Sequence, residues 1–320
     1  MNDNLFQVVK DGKSGFINDK GQVIIDLVFE GVSSFSEGLA RIFVGDKVGY
    51  IDTKGNIKIQ PKFDTASEFS QGLAYATEGG KYGYIDMTGY FVIEPKFYCC
   101  WGFENGYALV MQEVVSKGCF IDKFGAIILN GRNFLVSKYS EGLINCSDNG
   151  DWGFMDINGN FIIPPTYKYT REFSEGKAAV SPKKINGKAN KKDLYAFINH
   201  ENEIVIQPLY TGSDIRFSEN MCAVYDNGYG YISDKGNLVI PCDFYLGQHF
   251  SEGLAVVKLD GKAKEYGYID KNGTIAIKPT FTTAESFKNG LASVTTGKKY
   301  EEFRHGYIDK NGHYVWEPTR

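Results

Sequence analysis

The residues of this 320-residue chain that could do chemistry fall into four groups: a repeated aspartate, a repeated Ser-Glu pair, six cysteines with four histidines, and one lysine-rich loop. Asp52, Asp86, Asp122, Asp156, Asp270 and Asp309 share one position of an internal repeat and could be imagined as stacked metal ligands. Calcium-binding repeats crowd their carboxylates within a few residues of a Gly-rich loop, and that spacing is absent. Asn18, Asn199 and Ser233 fill the same column in other units, which is the substitution set of a side chain that starts a turn. Ser36-Glu37, Ser174-Glu175 and Ser251-Glu252 set a hydroxyl beside a carboxylate, but nucleophilic catalysis needs three converging groups, and repetition argues for a turn. Cys99, Cys100, Cys119, Cys146, Cys222 and Cys242 form no CxxC. His200, His249, His305 and His313 form no HxxxH or Cys-His ligand spacing, so zinc is not expected. Adjacent Cys99 and Cys100 could form a vicinal disulfide or a thiol metal site, although a pair of small buried hydrophobes is the commoner use. With no Walker-type loop and no GxGxxG before a helix, the reading is no enzyme, no cofactor and no metal.

Two groups remain as candidates for binding. The segment Ser181 to Leu194 (SPKKINGKANKKDL) carries Lys183, Lys184, Lys188, Lys191 and Lys192, with no acid until Asp193. It reads either as a mobile cationic finger for an acidic protein, phosphate or glycan, or as a floppy solvated hairpin tip, the commoner fate of a charge run. Tyr82, Tyr229 and Tyr266 each precede a repeat glycine and are expected to face solvent, where their rings could stack on sugars. The chain as a whole has 35 Lys and Arg against 39 Asp and Glu, a formal charge of -4 that offers no general pull towards nucleic acid. No run of 18 apolar residues exists, and the opening MNDNLFQVVK has neither a basic nor an apolar leader region. A cytoplasmic protein without a membrane span is therefore expected, or a secreted one if the N-terminus was trimmed.

The elements that position these residues follow from the repeat. A GYID-x-x-G motif starts at Gly15, Gly49, Gly83, Cys119, Gly153, Ala196, Gly230, Gly267 and Gly306, and an aromatic follows each. An F-S-E-G-L-A motif follows the first eight, with its aromatic at Phe35, Phe69, Phe103, Tyr139, Phe173, Phe217, Phe250 and Phe287. The distance from the first motif to the second is 20 residues in seven units and 21 in the unit starting at Ala196, whereas the return distance varies from 13 to 23. Length variation in one connection marks a surface loop. Each unit reads as three short strands with period-two alternation, bounded by Gly and Asp. Gly21, Gly55, Gly89, Gly125, Gly159, Asn202, Gly236, Gly273 and Gly312 fall where a left-handed turn residue is needed, as do Gly38, Gly72, Gly106, Gly142, Gly176, Asn220, Gly253 and Gly290. Pro61, Pro95, Pro165, Pro208, Pro279 and Pro318 are expected to end the third strand, with a crossover to the next unit following.

The expectation is an all-β tandem array spanning 1–320, of nine three-stranded antiparallel meanders of about 34 residues. The units start near residues 5, 39, 73, 107, 143, 177, 221, 254 and 291. An open curved solenoid is favoured over a closed propeller-like ring, because propellers usually have four-stranded blades and these units show three.

These motifs resemble the WG-repeat family of bacterial proteins, whose unit reads roughly W-G-Y-I-D-x-x-G-x-x-V-I-x-P, then F-x-x-A-x-x-F-x-E-G-x-A. The match covers nearly the whole chain. Trp152 keeps the family tryptophan and joins the candidate binding surface, whereas Val48, Tyr82, Tyr195, Tyr229, Tyr266 and His305 replace it in other units. The resemblance implies an interaction repeat with no defined chemistry. A non-catalytic scaffold for a protein partner is thus the leading expectation, with a carbohydrate or cell-envelope binder and a regulatory portion of a larger enzyme as alternatives.

Overall fold

The computed structural model describes residues 4–114, 118–131, 135–212, 214–259 and 265–319. They form nine antiparallel sheets, here blades 1 to 9, and a small hairpin of Lys184–Ile185 with Lys188–Ala189. Blade 2 shows the pattern: Gly31–Val32, Leu39–Val44, Lys47–Asp52 and Ile57–Phe63 lie side by side in chain order. Blades 3 to 9 repeat it over 65–97, 99–130, 135–167, 169–210, 217–244, 246–281 and 283–319. Blade 1 has three strands among the described residues, Phe6–Lys10, Lys13–Ile17 and Val23–Phe29. The GYID strand is buried on both faces, as Val48, Gly49, Tyr50 and Ile51 show, whereas the last strand of each blade alternates.

Two expectations are corrected here. The segment read as a crossover supplies a fourth strand, such as Thr65–Ala66 pairing with Thr77 and Ala76, so three-stranded meanders become four-stranded blades. Within one compact unit, Thr319 donates to the Val9 carbonyl. The open solenoid is therefore wrong; the fold is a nine-bladed β-propeller. The proline expectation fails as well, because Ile57–Phe63 runs through Pro61, which sits in a β-bulge opposite Gly49. A Cβ on Gly49 would lie 2.6 Å from the Ile59 oxygen and the Pro61 nitrogen, so glycine fits closely here, although blade 6 keeps the same bulge around Ala196. In blade 4, Cys119 replaces that glycine and pairs in register through Cys119–Asn130 and Phe120–Leu129. Among the described residues only the irregularity between Phe120 and Ile121 remains in that blade.

Packing divides the chain into two compact units, residues up to 137 with the chain's last two residues, and residues 138–318. In each unit the core clusters form where neighbouring blades meet. In the first, Tyr50 and Ile59 of blade 2 bury against Phe69 and Ala76 of blade 3. In the second, Tyr231 and Ile240 of blade 7 bury against Phe250 and Val257 of blade 8.

Candidate functional site

The repeated polar columns divide between closing turns and fastening blades. Asp52 Oδ1 accepts the backbone N–H groups of Lys54 and Asn56, both at 2.9 Å, and Gly55 stands at φ 83°, the left-handed turn its spacing predicted. Partial burial pushes the Asp52 carboxyl up, but the donors from Asn56, Lys54 and Lys58 outweigh it and hold it below its ordinary range. The Ser of FSEG donates to the carbonyl of the next blade's Phe: Ser36 to Phe69 at 2.7 Å, Ser174 to Phe217 and Ser218 to Phe250 at 2.8 Å, Ser251 to Phe287 at 2.6 Å. The Glu does the same work with its carboxylate, since Glu37 accepts from Gln71 N at 2.7 Å and Gly72 N at 2.8 Å. Both residues of this turn have positive φ, Glu37 at 51° and Gly38 at 82°, which makes it a type I′ hairpin turn. The Ser-Glu pair therefore joins blades.

The cysteines and histidines are dispersed. Cys99 and Cys100 lie in one short strand, where successive side chains point to opposite faces, and the Cys100 thiol is pushed up to about 12, first by burial. Burial likewise raises Cys146 to about 12. His200 stacks on Phe173 at 4.1 Å, His305 meets Thr295 at 3.0 Å, and His313 faces Asp309 at 3.4 Å. Among the described residues no group of three or more His, Cys, Asp or Glu side chains is placed to hold a metal ion.

The lysine segment holds a short hairpin, Lys184–Ile185 with Lys188–Ala189. Asn186 and Gly187, at φ 49° and 75°, close a two-residue hairpin turn. Asn190, 7% exposed, clasps its base by donating to Pro182 O at 3.0 Å and Leu194 O at 2.9 Å and accepting from Leu194 N at 3.0 Å. Lys183 pairs with Asp151 at 2.6 Å. Lys184, Lys188, Lys191 and Lys192 are exposed and lie in no ion pair among the described residues. The aromatic candidates Tyr82, Trp152, Tyr229 and Tyr266 are half-buried, not solvent-facing, and sit on blades 3, 5, 7 and 8. Tyr82 packs edge-on to Tyr75, and Tyr266 receives the Lys258 ammonium at 5.4 Å.

What the structure brings together escaped the motif reading. The residue before the FSEG aromatic is Ser34, Glu68 and Gly102 in blades 2 to 4, but Glu172, Arg216 and His249 in blades 6 to 8. Arg216 Nη1 lies 3.9 Å from Glu172, and His249 Nε2 lies 2.7 Å from Asp214 Oδ2. Arg216 Nε is 3.1 Å from that same His249 nitrogen and 3.4 Å from Asp214 Oδ1. One nitrogen cannot donate to Asp214 and accept from Arg216 together; the shorter, charge-assisted contact assigns its proton to Asp214 and leaves Arg216 on Oδ1. His249 Nδ1 is sealed from solvent without a hydrogen-bond partner. Asp214, Arg216 and His249 line a cleft of about 370 Å³ with Ala223, Tyr229 and Gly247. The signal was in the spacing: Asp214 belongs to the unit with 21 residues in place of 20.

With blades and cleft established, the chain can be placed among known proteins. The family described as WG containing repeat matches residues 15–47, 49–82, 82–113, 152–188, 195–228, 229–262 and 266–300. The chain belongs to the WG containing repeat family. The match skips 114–151, where Cys119 replaces the repeat glycine. No curated protein matches the chain. Among solved structures, this WG-repeat chain is similar to a eukaryotic initiation factor at TM-score 0.67 and 10% identity, over 98% of this chain and 95% of that one. That likeness supports the propeller fold and nothing more. Citrobacter koseri AztD follows at TM-score 0.45 and 12% identity, over 99% and 93% of the two chains. Kluyveromyces lactis Hsv2 stands at TM-score 0.39 and 11% identity, over 85% and 95%.

Proposed function

We propose that this WG-repeat protein is a non-catalytic scaffold for a partner protein, and that the Ser181 to Leu194 hairpin contacts an acidic segment of that partner. The observation that carries the reading is an ordered basic ribbon on an acidic chain. Lys184, Lys188, Lys191 and Lys192 stand exposed on a backbone already clasped by Asn190, while the formal charge of the chain is -4. A backbone held in place before binding loses less entropy when a partner arrives, and a local cationic patch steers an acidic partner into register. The Asp, Ser and Glu columns are occupied in turns and blade joints, which leaves contact to the residues that break the repeat.

A fluorescent polyglutamate peptide tests the charge logic. Binding to the full chain should be clear at low salt, weaken at high salt, and vanish when Lys184, Lys188, Lys191 and Lys192 are all changed to Glu. Reversal of Lys54 and Lys62 in blade 2 should leave it unchanged. Peptide binding indifferent to the hairpin reversal would refute the assignment. Cross-linking in native cell extract, read by mass spectrometry, should then place partner peptides on the hairpin lysines.

A further inference from the structure

We propose that the cleft lined by Asp214, Arg216, Tyr229, Gly247 and His249 is a binding site for a small neutral sugar. It is separate from the lysine hairpin and rests on different observations. The charged groups of the cleft already hold partners: Asp214 lies 2.7 Å from His249 and 3.4 Å from Arg216, and Arg216 reaches Glu172 outside the cleft at 3.9 Å. An anion entering here meets Asp214, and a cation meets Arg216; either must break a pair that is in place. A ring bearing several hydroxyls has no such conflict, because each hydroxyl both donates and accepts and can add to Asp214 and Arg216 without displacing their partners. Asp214 remains accessible for this, its side chain 63% exposed.

The walls supply the rest. Tyr229 lines one side and is braced by Tyr225 at 5.2 Å, so an amphipathic ring borders the polar groups. Gly247 lies against it: a Cβ there would stand 2.8 Å from the Tyr231 hydroxyl and 3.2 Å from Tyr229 Cβ. Bare backbone at this point lets both tyrosines pack against the strand. The cleft of about 370 Å³ sits at the lower end of the range for small-molecule sites, about 300–1,000 Å³. The residues that build it are not shared by the repeat: Asp214 stands three residues before the FSEG aromatic, where blades 2, 3 and 9 carry buried Val32, Ala66 and Ala284. The extra residue of this unit keeps the core filled, with Ile215 buried, and leaves Asp214 exposed beside it.

The test is a printed array of neutral, sialylated and sulfated glycans probed with the full chain, followed by calorimetric titration of the best free oligosaccharide. A neutral glycan should bind, and Asp214→Asn and Tyr229→Ala should each weaken it at least ten-fold. Asp214→Asn touches an exposed group and should leave the melting temperature nearly unchanged, so its effect is readable even where Tyr229→Ala folds poorly. The four-lysine hairpin reversal should bind the same glycan as the parent, which keeps this outcome distinct from that of the hairpin reading. A blank array, binding confined to acidic glycans, or affinity unmoved by Asp214→Asn would each overturn the proposal.

Discussion

At the joint of blades 2 and 3 the Tyr50 hydroxyl donates to Ser67 O at 2.7 Å, and its ring lies 4.9 Å from that of Phe69. At the joint of blades 7 and 8 Tyr231 repeats this with Gln248 O at 2.8 Å and Phe250 at 5.0 Å. The fastening is interchangeable, yet the surroundings are not. Arg41 covers the first joint, donating to Ala66 O at 3.0 Å and pairing with Glu68 at 3.4 Å. Six residues after the FSEG aromatic, the place of Arg41, blade 7 carries Ala223; in the place of Ala66, blade 8 carries Gly247. Both joints carry a cleft, about 540 Å³ lined by Arg41, Phe43 and Ala66 at the first and about 370 Å³ lined by Ala223, Tyr229 and Gly247 at the second. The difference teaches that the aromatic and the serine hold the blades, so the neighbouring positions are free to acquire a binding role without loss of the fold.

The strongest test of a shared fastening removes the ring. Tyr50→Ala and Tyr231→Ala should each cost about 3–5 kcal/mol, the range for deleting a large buried aromatic. Chemical denaturation of both variants checks this, and a much milder loss at Tyr231 would show that the cleft joint is held by something else. Tyr→Phe at either position removes only the hydrogen bond and should cost about 0.5–1.5 kcal/mol.

The two glycine columns separate next. Gly89 and Gly72 both have positive φ, 85° in each case. A Cβ on Gly89 would stand 2.7 Å from Ile59 Cγ2 of the preceding blade, whereas one on Gly72 meets nothing within 4 Å. Both alanine variants carry the left-handed strain of about 1–2 kcal/mol. Gly89→Ala adds overpacking of about 1–3 kcal/mol. Equal melting temperatures for the two variants would remove the distinction between a turn glycine and a joint glycine.

Much of this was legible in the sequence. Positive φ at Gly55 and Gly38, and at Asn202 and Asn220 where glycine is replaced, followed from spacing alone, because local backbone sterics act within a few residues. The fourth strand was not legible, since Thr65–Ala66 is two residues long and too short for alternation to register. Nor was the role of Ser36 and Glu37, whose partners Phe69, Gln71 and Gly72 lie 33 to 35 residues away. The cleft was hidden for the same reason: Arg216 and His249 are 33 residues apart, and only the blade period brings them together.

Acid should act unevenly on the blades. Asp52, Asp86, Asp156 and Asp309 are held below their ordinary carboxyl range, where partial burial pushes up but hydrogen bonds from their own turns outweigh it. A carboxyl lowered in the folded state contributes stability above its unfolded value of about 3.9, and loses it as pH falls through the folded value. Blades 1, 6 and 7 carry Asn18, Asn199 and Ser233 instead and have no such dependence in this turn. Hydrogen exchange at about pH 3 should therefore show the turns of blades 2, 3, 5 and 9 opening before those of 1, 6 and 7. Asp52→Asn should flatten the pH response of the blade 2 turn; an unchanged response would mean that Asp52 is not its source.

The smallest effect is also the most discriminating. Asn220 and Asn202 stand at φ 64° in both cases, each where other blades have glycine. Glycine would relieve left-handed strain of about 1 kcal/mol, but it adds about 0.5–1 kcal/mol of chain entropy lost on folding. Asn220→Gly should therefore lie close to the parent in stability. Asn202 has a further tie, because Tyr167 donates to its Oδ1 at 2.6 Å across the joint of blades 5 and 6. Asn202→Gly should fall below Asn220→Gly by about 0.5–1.5 kcal/mol, the worth of one such hydrogen bond. A cycle with Tyr167→Phe isolates it: if that bond is the cause, the double variant costs no more than Asn202→Gly alone. Simple addition of the two losses would show that the bond carries no weight, and would leave the two asparagines equivalent despite their different neighbours.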